Sequence, residues 1–180
     1  FADHNLLPGI RDEAIRKFAD LGIEWHMWTP GPGGSTWPST HLLDSQVQCV
    51  NILLSLAKVP DLLLRFARQA VPNAVGVAVV ENDSPVAFGW IGRNDYLGEG
   101  RGRPRHRGRF ATSADALLVV DRADGGRTGI VIEWKFTETY TKPIPCFGAG
   151  GTDRRIVYRD LFNADGNPFA EKPDIGVFLH

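Results

Sequence analysis

Helical spacing of apolar positions comes first along the chain, and β-branched runs come after it. Over residues 12–21, Ile15, Phe18 and Ala19 recur at helical intervals and Gly22 stands where a stop belongs, which predicts a short amphipathic helix. Thr29 to Ser39 is rich in Pro and Gly and reads as a loop. Asp44 or Ser45 then caps a second helix to about Ala57, with Val47, Val50, Leu54 and Ala57 as its apolar stripe. Pro60 and Asp61 open a third, which Pro72 stops near Ala70. Val75–Val80 and Val86–Ile91 flank the turn residues Glu81 to Pro85 and predict a hairpin. Periodicity lapses from Gly92 to Gly108, and a further hairpin is expected from Thr112–Val120 and Thr128–Phe136 around Asp124-Gly125-Gly126. Helices followed by strands, without repeats or heptads, indicate an α/β (α+β) chain with a mixed sheet flanked by helices.

That last hairpin carries charge where apolar neighbours predict burial. Asp115 precedes Ala116-Leu117-Leu118-Val119-Val120, and Glu133-Trp134-Lys135 follows Ile130-Val131-Ile132. A charge inside so apolar a strand needs a partner or a metal. Alternation places Glu133 and Lys135 on one face. A three-residue loop at Asp124 to Gly126 sets Asp115 against Lys135 and Leu117 against Glu133, so that the three polar groups share that face. A two-residue Gly125-Gly126 turn instead moves Asp115 behind the sheet. Two converging carboxylates suit Mg²⁺, with Mn²⁺ as a substitute and the Trp134 carbonyl as a further oxygen. Such an ion polarises a phosphodiester, and Lys135 orients or deprotonates the attacking water. The plain alternative is an ordinary ion pair on a solvated sheet face.

Asp115, 17 intervening residues and Glu133-Trp134-Lys135 together resemble the core motif of the PD-(D/E)XK superfamily of restriction-endonuclease-like nucleases. Thr112 to Ala116, Ile132 to Glu138 and the upstream helix Leu43 to Asn51 are similar to a bacterial restriction endonuclease branch, over roughly residues 40 to 165. Ala114 replaces the proline that often precedes the first motif aspartate, a position without chemistry of its own. The resemblance implies a restriction-endonuclease-like fold and an additional upstream polar residue at the site. Glu81 is the candidate for metal contact and Gln46 a neutral substitute; each also reads plainly, Glu81 as a turn carboxylate and Gln46 as an amide that bonds the backbone or caps its helix.

Net charge of −1 gives no overall attraction to nucleic acid, so distribution must decide. Arg101, Arg103, Arg105, Arg107 and Arg109, interleaved with glycines, form a strip able to follow a phosphate backbone, or else a solvated loop. Arg154, Arg155 and Arg159 extend the positive character while Asp153 and Asp160 dilute it. The expected partner is nucleic acid, DNA above RNA, and double-strand cleavage by one metal site per chain usually wants a homodimer. No apolar run approaches the roughly 20 residues of a membrane helix. Cys49 and Cys146 lack zinc spacing and suit a reducing cytoplasm. Gly31-Pro32-Gly33-Gly34-Ser35 lacks the lysine of a nucleotide loop, His26 and His41 match no metal pattern, and Trp25, Trp28 and Trp37 read as packing residues. Residues 1–40 are expected to form an N-terminal helix and loop, and 41–180 a nuclease-like core. The start at Phe1 and the end within Val177-Phe178-Leu179 suggest a piece of a longer protein. The rival readings are a non-catalytic nucleic-acid-binding or protein-interaction module on the same fold, and a scaffold whose arginines dock an acidic protein.

Overall fold

Short-range signals in the sequence set the three N-terminal helices. The computed structural model describes residues 2–26, 35–95, 99, 104–108, 111–136, 156, 159–163 and 165. Helix α1 spans Arg11–Asp20 and the chain turns at Gly22 with φ +62°. Helix α2 spans Ser45–Ala57, and the Asp44 carboxylate accepts the Val47 N–H at 2.9 Å as its N-cap. Helix α3 covers Pro60–Ala67, with proline in its first turn, and ends earlier than the sequence suggests. Its C-terminal neighbour Arg68 donates to the Ala74 carbonyl at 2.8 Å, tying the helix exit to the first strand.

Four strands come next: β1 Ala74–Ala78, β2 Ala87–Trp90, β3 Ala114–Arg122 and β4 Arg127–Ile132. Every described pairing is antiparallel, so the fold is α+β and the mixed sheet expected from the sequence is not seen among the described residues. A second correction concerns β1 and β2. They do not pair as a hairpin; both run antiparallel to β3 and therefore along one edge in the same direction. Ala78 faces Val119 and Ala87 faces Leu117. The intervening residues loop out through a tight turn, closed by Ser84 N–H to Glu81 O at 2.7 Å, with Asn82 and Asp83 at φ 42° and 60°. Turn chemistry is legible in the sequence, but it interrupts one edge instead of joining two neighbours.

The β3–β4 hairpin closes over Ala123-Asp124-Gly125. Arg122 N–H donates to Gly126 O at 2.8 Å, Gly125 N–H to Arg122 O at 3.0 Å, and Gly125 takes φ +80°. This is a three-residue loop ending in a left-handed glycine. Asp124 reinforces it by accepting the Gly126 N–H at 3.0 Å, a bond that holds its carboxyl below the usual range, aided by Arg122.

One core joins helices and sheet. Ala116, Leu118 and Val120 of β3 are buried with Phe18 of α1 and Val50, Leu53 and Leu54 of α2. Phe18 stacks on Trp25 with ring centroids 3.9 Å apart. Two side-chain amides of α2 fasten extended segments to the helix. Asn51 accepts the Leu7 N–H at 2.9 Å and donates to Asn5 O at 2.9 Å, while Gln46 accepts the His26 N–H at 2.7 Å and donates to Glu24 O at 3.1 Å. Each spans a carbonyl and the N–H two residues later, as a neighbouring strand would, and the residue between them, Leu6 or Trp25, is buried. The chain divides into two compact units, Phe1–Gly92 with Pro104–Thr137, and Arg93–Arg103 with Glu138–His180. In the second, Asp95 accepts the Glu99 N–H at 3.0 Å and α4 spans Arg159–Asn163. Among the described residues no single helix is long and apolar enough to cross a membrane.

Candidate active site

The β3–β4 register decides whether the charged residues meet. Observed partners run from Asp121 with Arg127 to Ala116 with Ile132. Continuing by one residue sets Asp115 opposite Glu133, two positions from the Lys135 partnership expected for a loop at Asp124 to Gly126, because the loop occupies Ala123 to Gly125 instead. A shift of two preserves the face, as alternation requires. Glu133 and Lys135 are exposed, and Trp134 between them packs against the core. Lys135 Nζ lies 2.6 Å from Glu133 Oε1. Arg122 and Gly126 form a hydrogen-bonded pair, so the ladder would next bring the Trp134 N–H to the Ala114 carbonyl. The N–H donates instead to Asp115 Oδ2 at 2.6 Å, where β4 has ended. Asp115 thereby takes a ladder bond onto its own carboxylate.

Burial pushes the Asp115 carboxyl above the ordinary range and the Glu133 charge adds to that rise; the Trp134 N–H, Lys135 and His26 oppose it. Asp115 borders a cavity of about 20 Å³ with His26, Gln46, Cys49, Ser113 and Gly108 among its lining residues. Roughly 10–15 Å³ suffices for a water-sized occupant when polar partners are present. Burial also pushes the Cys49 thiol far up, with Asp115 and Glu133 adding to it, which suits a packed side chain and not a nucleophile.

The remaining candidates divide. Gln46 reaches the cavity, but backbone bonds to His26 and Glu24 engage both ends of its amide. Glu81 is drawn out of the expected ligand set. Its carboxylate receives both terminal nitrogens of Arg107, and it is absent from the charges that act on Asp115. Arg105 donates to Gly92 O at 2.9 Å and Arg107 also reaches Phe88 O at 3.5 Å, so these two members of the strip bind their own fold. Gly89 makes room for this: at φ +54°, a Cβ there would lie 3.3 Å from Ile23 and 3.5 Å from the Cβ of Arg107. Arg101, Arg103, Arg109, Arg154, Arg155 and Cys146 lie outside the described residues. Sequence spacing gives no signal for His26 at this site, because the fold alone carries it to Asp115.

Comparison with known proteins bears on what this corner of the sheet belongs to. A family model described as Restriction Endonuclease associating with ARP matches residues 1–176. The chain belongs to this restriction endonuclease family. No curated protein and no solved structure matches the chain. Membership gives the chain a nuclease-related role. Asp115, at the cavity, lies within the influence of the Glu133 charge, and Trp134 adjoins Glu133 in the chain. Among the described residues no group of three His, Cys, Asp or Glu side chains gathers as a metal cluster.

Proposed function

We propose that this chain is a divalent-metal-dependent nuclease of the PD-(D/E)XK type, hydrolysing phosphodiester bonds in DNA. The observation that carries the reading is the β3–β4 register, which continued one residue past Ala116 and Ile132 sets Asp115 opposite Glu133, with Lys135 on Glu133 and its charge acting on Asp115 as well. The donor set fits Mg²⁺ or Mn²⁺: the oxygens are hard, one carboxylate is half-buried, and the Glu133 charge raises the cost of ionising Asp115. When bound, the ion supplies charge neutralisation and Lewis acidity toward the phosphate. The Trp134 N–H fixes one oxygen of Asp115 and leaves the other available. Glu133 holds the Lys135 ammonium at the site until substrate phosphate competes for it. Lys135 then orients the attacking water and stabilises the charge that grows on the phosphoryl oxygens. One site cuts one strand, so a double-strand break requires two copies related by symmetry. The association named in the family description supports a protein partner as well.

A second reading is favoured by Glu81 and Arg107. Their closed pair and the inward bond of Arg105 suit a non-catalytic module on the same fold. The deciding experiment incubates plasmid, linear duplex, single-stranded DNA and RNA with Mg²⁺ or Mn²⁺, comparing wild type with Lys135→Ala and an EDTA control. Metal-dependent cleavage of DNA lost in the variant supports the nuclease. DNA binding without cleavage by the folded protein supports the module.

A further inference from the structure

His26 borders the same cavity as Asp115, its side chain is exposed, and its charge acts on that carboxylate. The backbone that carries it is fixed from three directions. Gln46 Oε1 accepts its backbone N–H, Trp25 exchanges backbone bonds with Ser35 at 3.0 and 3.1 Å, and the Trp25 ring stacks on Phe18. The Asn51 clasp on α2 has the same form and likewise anchors a buried residue, Leu6. The two clasps differ in the residue on the C-terminal side of the buried one. Beyond Leu6 stands Leu7, an exposed apolar side chain; beyond Trp25 stands an imidazole at the rim of the cavity that Asp115, Gln46 and Ser113 also line. Imidazole is an effective donor to phosphate oxygens, and a rigidly held donor stabilises developing charge without reorganising.

We propose that His26 contacts the substrate, its ring N–H donating to an oxygen of the phosphate addressed by Asp115 and Glu133, and that Gln46 is its positioning residue. This rests on the nuclease reading above. Gln46, a candidate direct participant by its sequence, acts here through the backbone of the residue it holds.

The test measures single-turnover cleavage of a labelled DNA duplex with Mg²⁺ by wild type, Asp115→Asn, His26→Ala, His26→Gln, Gln46→Met, Asn51→Leu and the His26→Ala/Gln46→Met double variant, with thermal midpoints for all. The expected loss for His26→Ala is roughly 100-fold with an unchanged midpoint, partly recovered in His26→Gln, which keeps a donor. The double variant should be no slower than His26→Ala alone, because Gln46 acts through His26. Asn51→Leu lowers the midpoint and leaves the rate of the folded fraction near wild type. Wild-type rates in His26→Ala, beside a dead Asp115→Asn, overturn the inference and leave the nuclease standing. Multiplying losses in the double variant overturn the role given to Gln46. A wild type that cleaves nothing overturns the nuclease reading, and the role of His26 with it.

Discussion

Two sets of carboxylates on this sheet are neutralised in opposite ways. Glu81, beside the turn that interrupts the β1–β2 edge, is met by the fork of Arg107, and both side chains are mostly buried, at 13% and 20% exposure. Asp115 and Glu133, across β3, share Lys135, which sits on Glu133 with both side chains about half exposed. A bidentate guanidinium leaves its carboxylate with little further need of charge. One ammonium between two carboxylates leaves a deficit, and Asp115 meets it with the Trp134 N–H and the charge of His26. A fold gains rigidity from the first arrangement, and the second is where the proposed cation would sit. Satisfied charge marks structure here, and the unsatisfied pair is where the proposed chemistry is placed.

The sharpest way to break the comparison is at the deficient pair. Asp115→Ala is expected to reduce Mg²⁺-dependent DNA cleavage by on the order of 10³-fold or more, as loss of a principal electrostatic contributor does. Circular dichroism should report an unchanged fold. An active Asp115→Ala would mean the deficit has no catalytic purpose.

Next in size is the closed pair. Glu81→Gln leaves Arg107 buried without its counter-charge, and urea unfolding should show a loss of about 3 kcal/mol, the lower end of the range for breaking a buried pair. Cleavage by the remaining folded protein should be near wild type. Lys135→Ala, which breaks a solvated pair, should move stability by only about 0.5 kcal/mol while abolishing cleavage. Exchange of these two outcomes, with Glu81→Gln inactive and Lys135→Ala unstable, would invert the assignment.

How far the sequence reveals this contrast depends on the range of the interactions. Helix starts, the Asp44 cap and the Gly22 stop are local and legible. The parity of the β3–β4 hairpin is legible too, since Asp115, Glu133 and Lys135 share a face for any odd-length loop. The loop position is not, because the Asp124 side chain competes for Gly126 and moves the turn back by one residue. The β1–β2 pair misleads: a turn flanked by two β-branched runs has the same local chemistry in a hairpin and in a looped-out edge, and only pairing with β3 separates them. Arg107 resembles a phosphate contact and Glu81 a metal ligand, since nothing in the sequence shows that each is the other's partner. His26 is invisible as a site residue for the same reason.

The smallest expected effect is also the most specific to Asp115. Its carboxyl is raised above the ordinary range by burial, so the folded chain binds its proton more tightly than the unfolded chain does. Where the folded state holds more protons, stability falls as pH rises, from the unfolded pKa up through the folded one. Above that window the ionised carboxylate lowers stability by its full amount; below it the acid is neutral in both states and the effect is gone. Asp115→Asn, which keeps an oxygen for the Trp134 N–H, should therefore unfold at a slightly higher temperature than wild type near pH 7, with the advantage shrinking as pH falls through the carboxylate range. Mg²⁺ should stabilise wild type at pH 7 by mass action and do little for the variant. A variant less stable than wild type at neutral pH, with the same Mg²⁺ response, would mean that Asp115 is as well satisfied as Glu81 and that the two ends of the sheet do not differ.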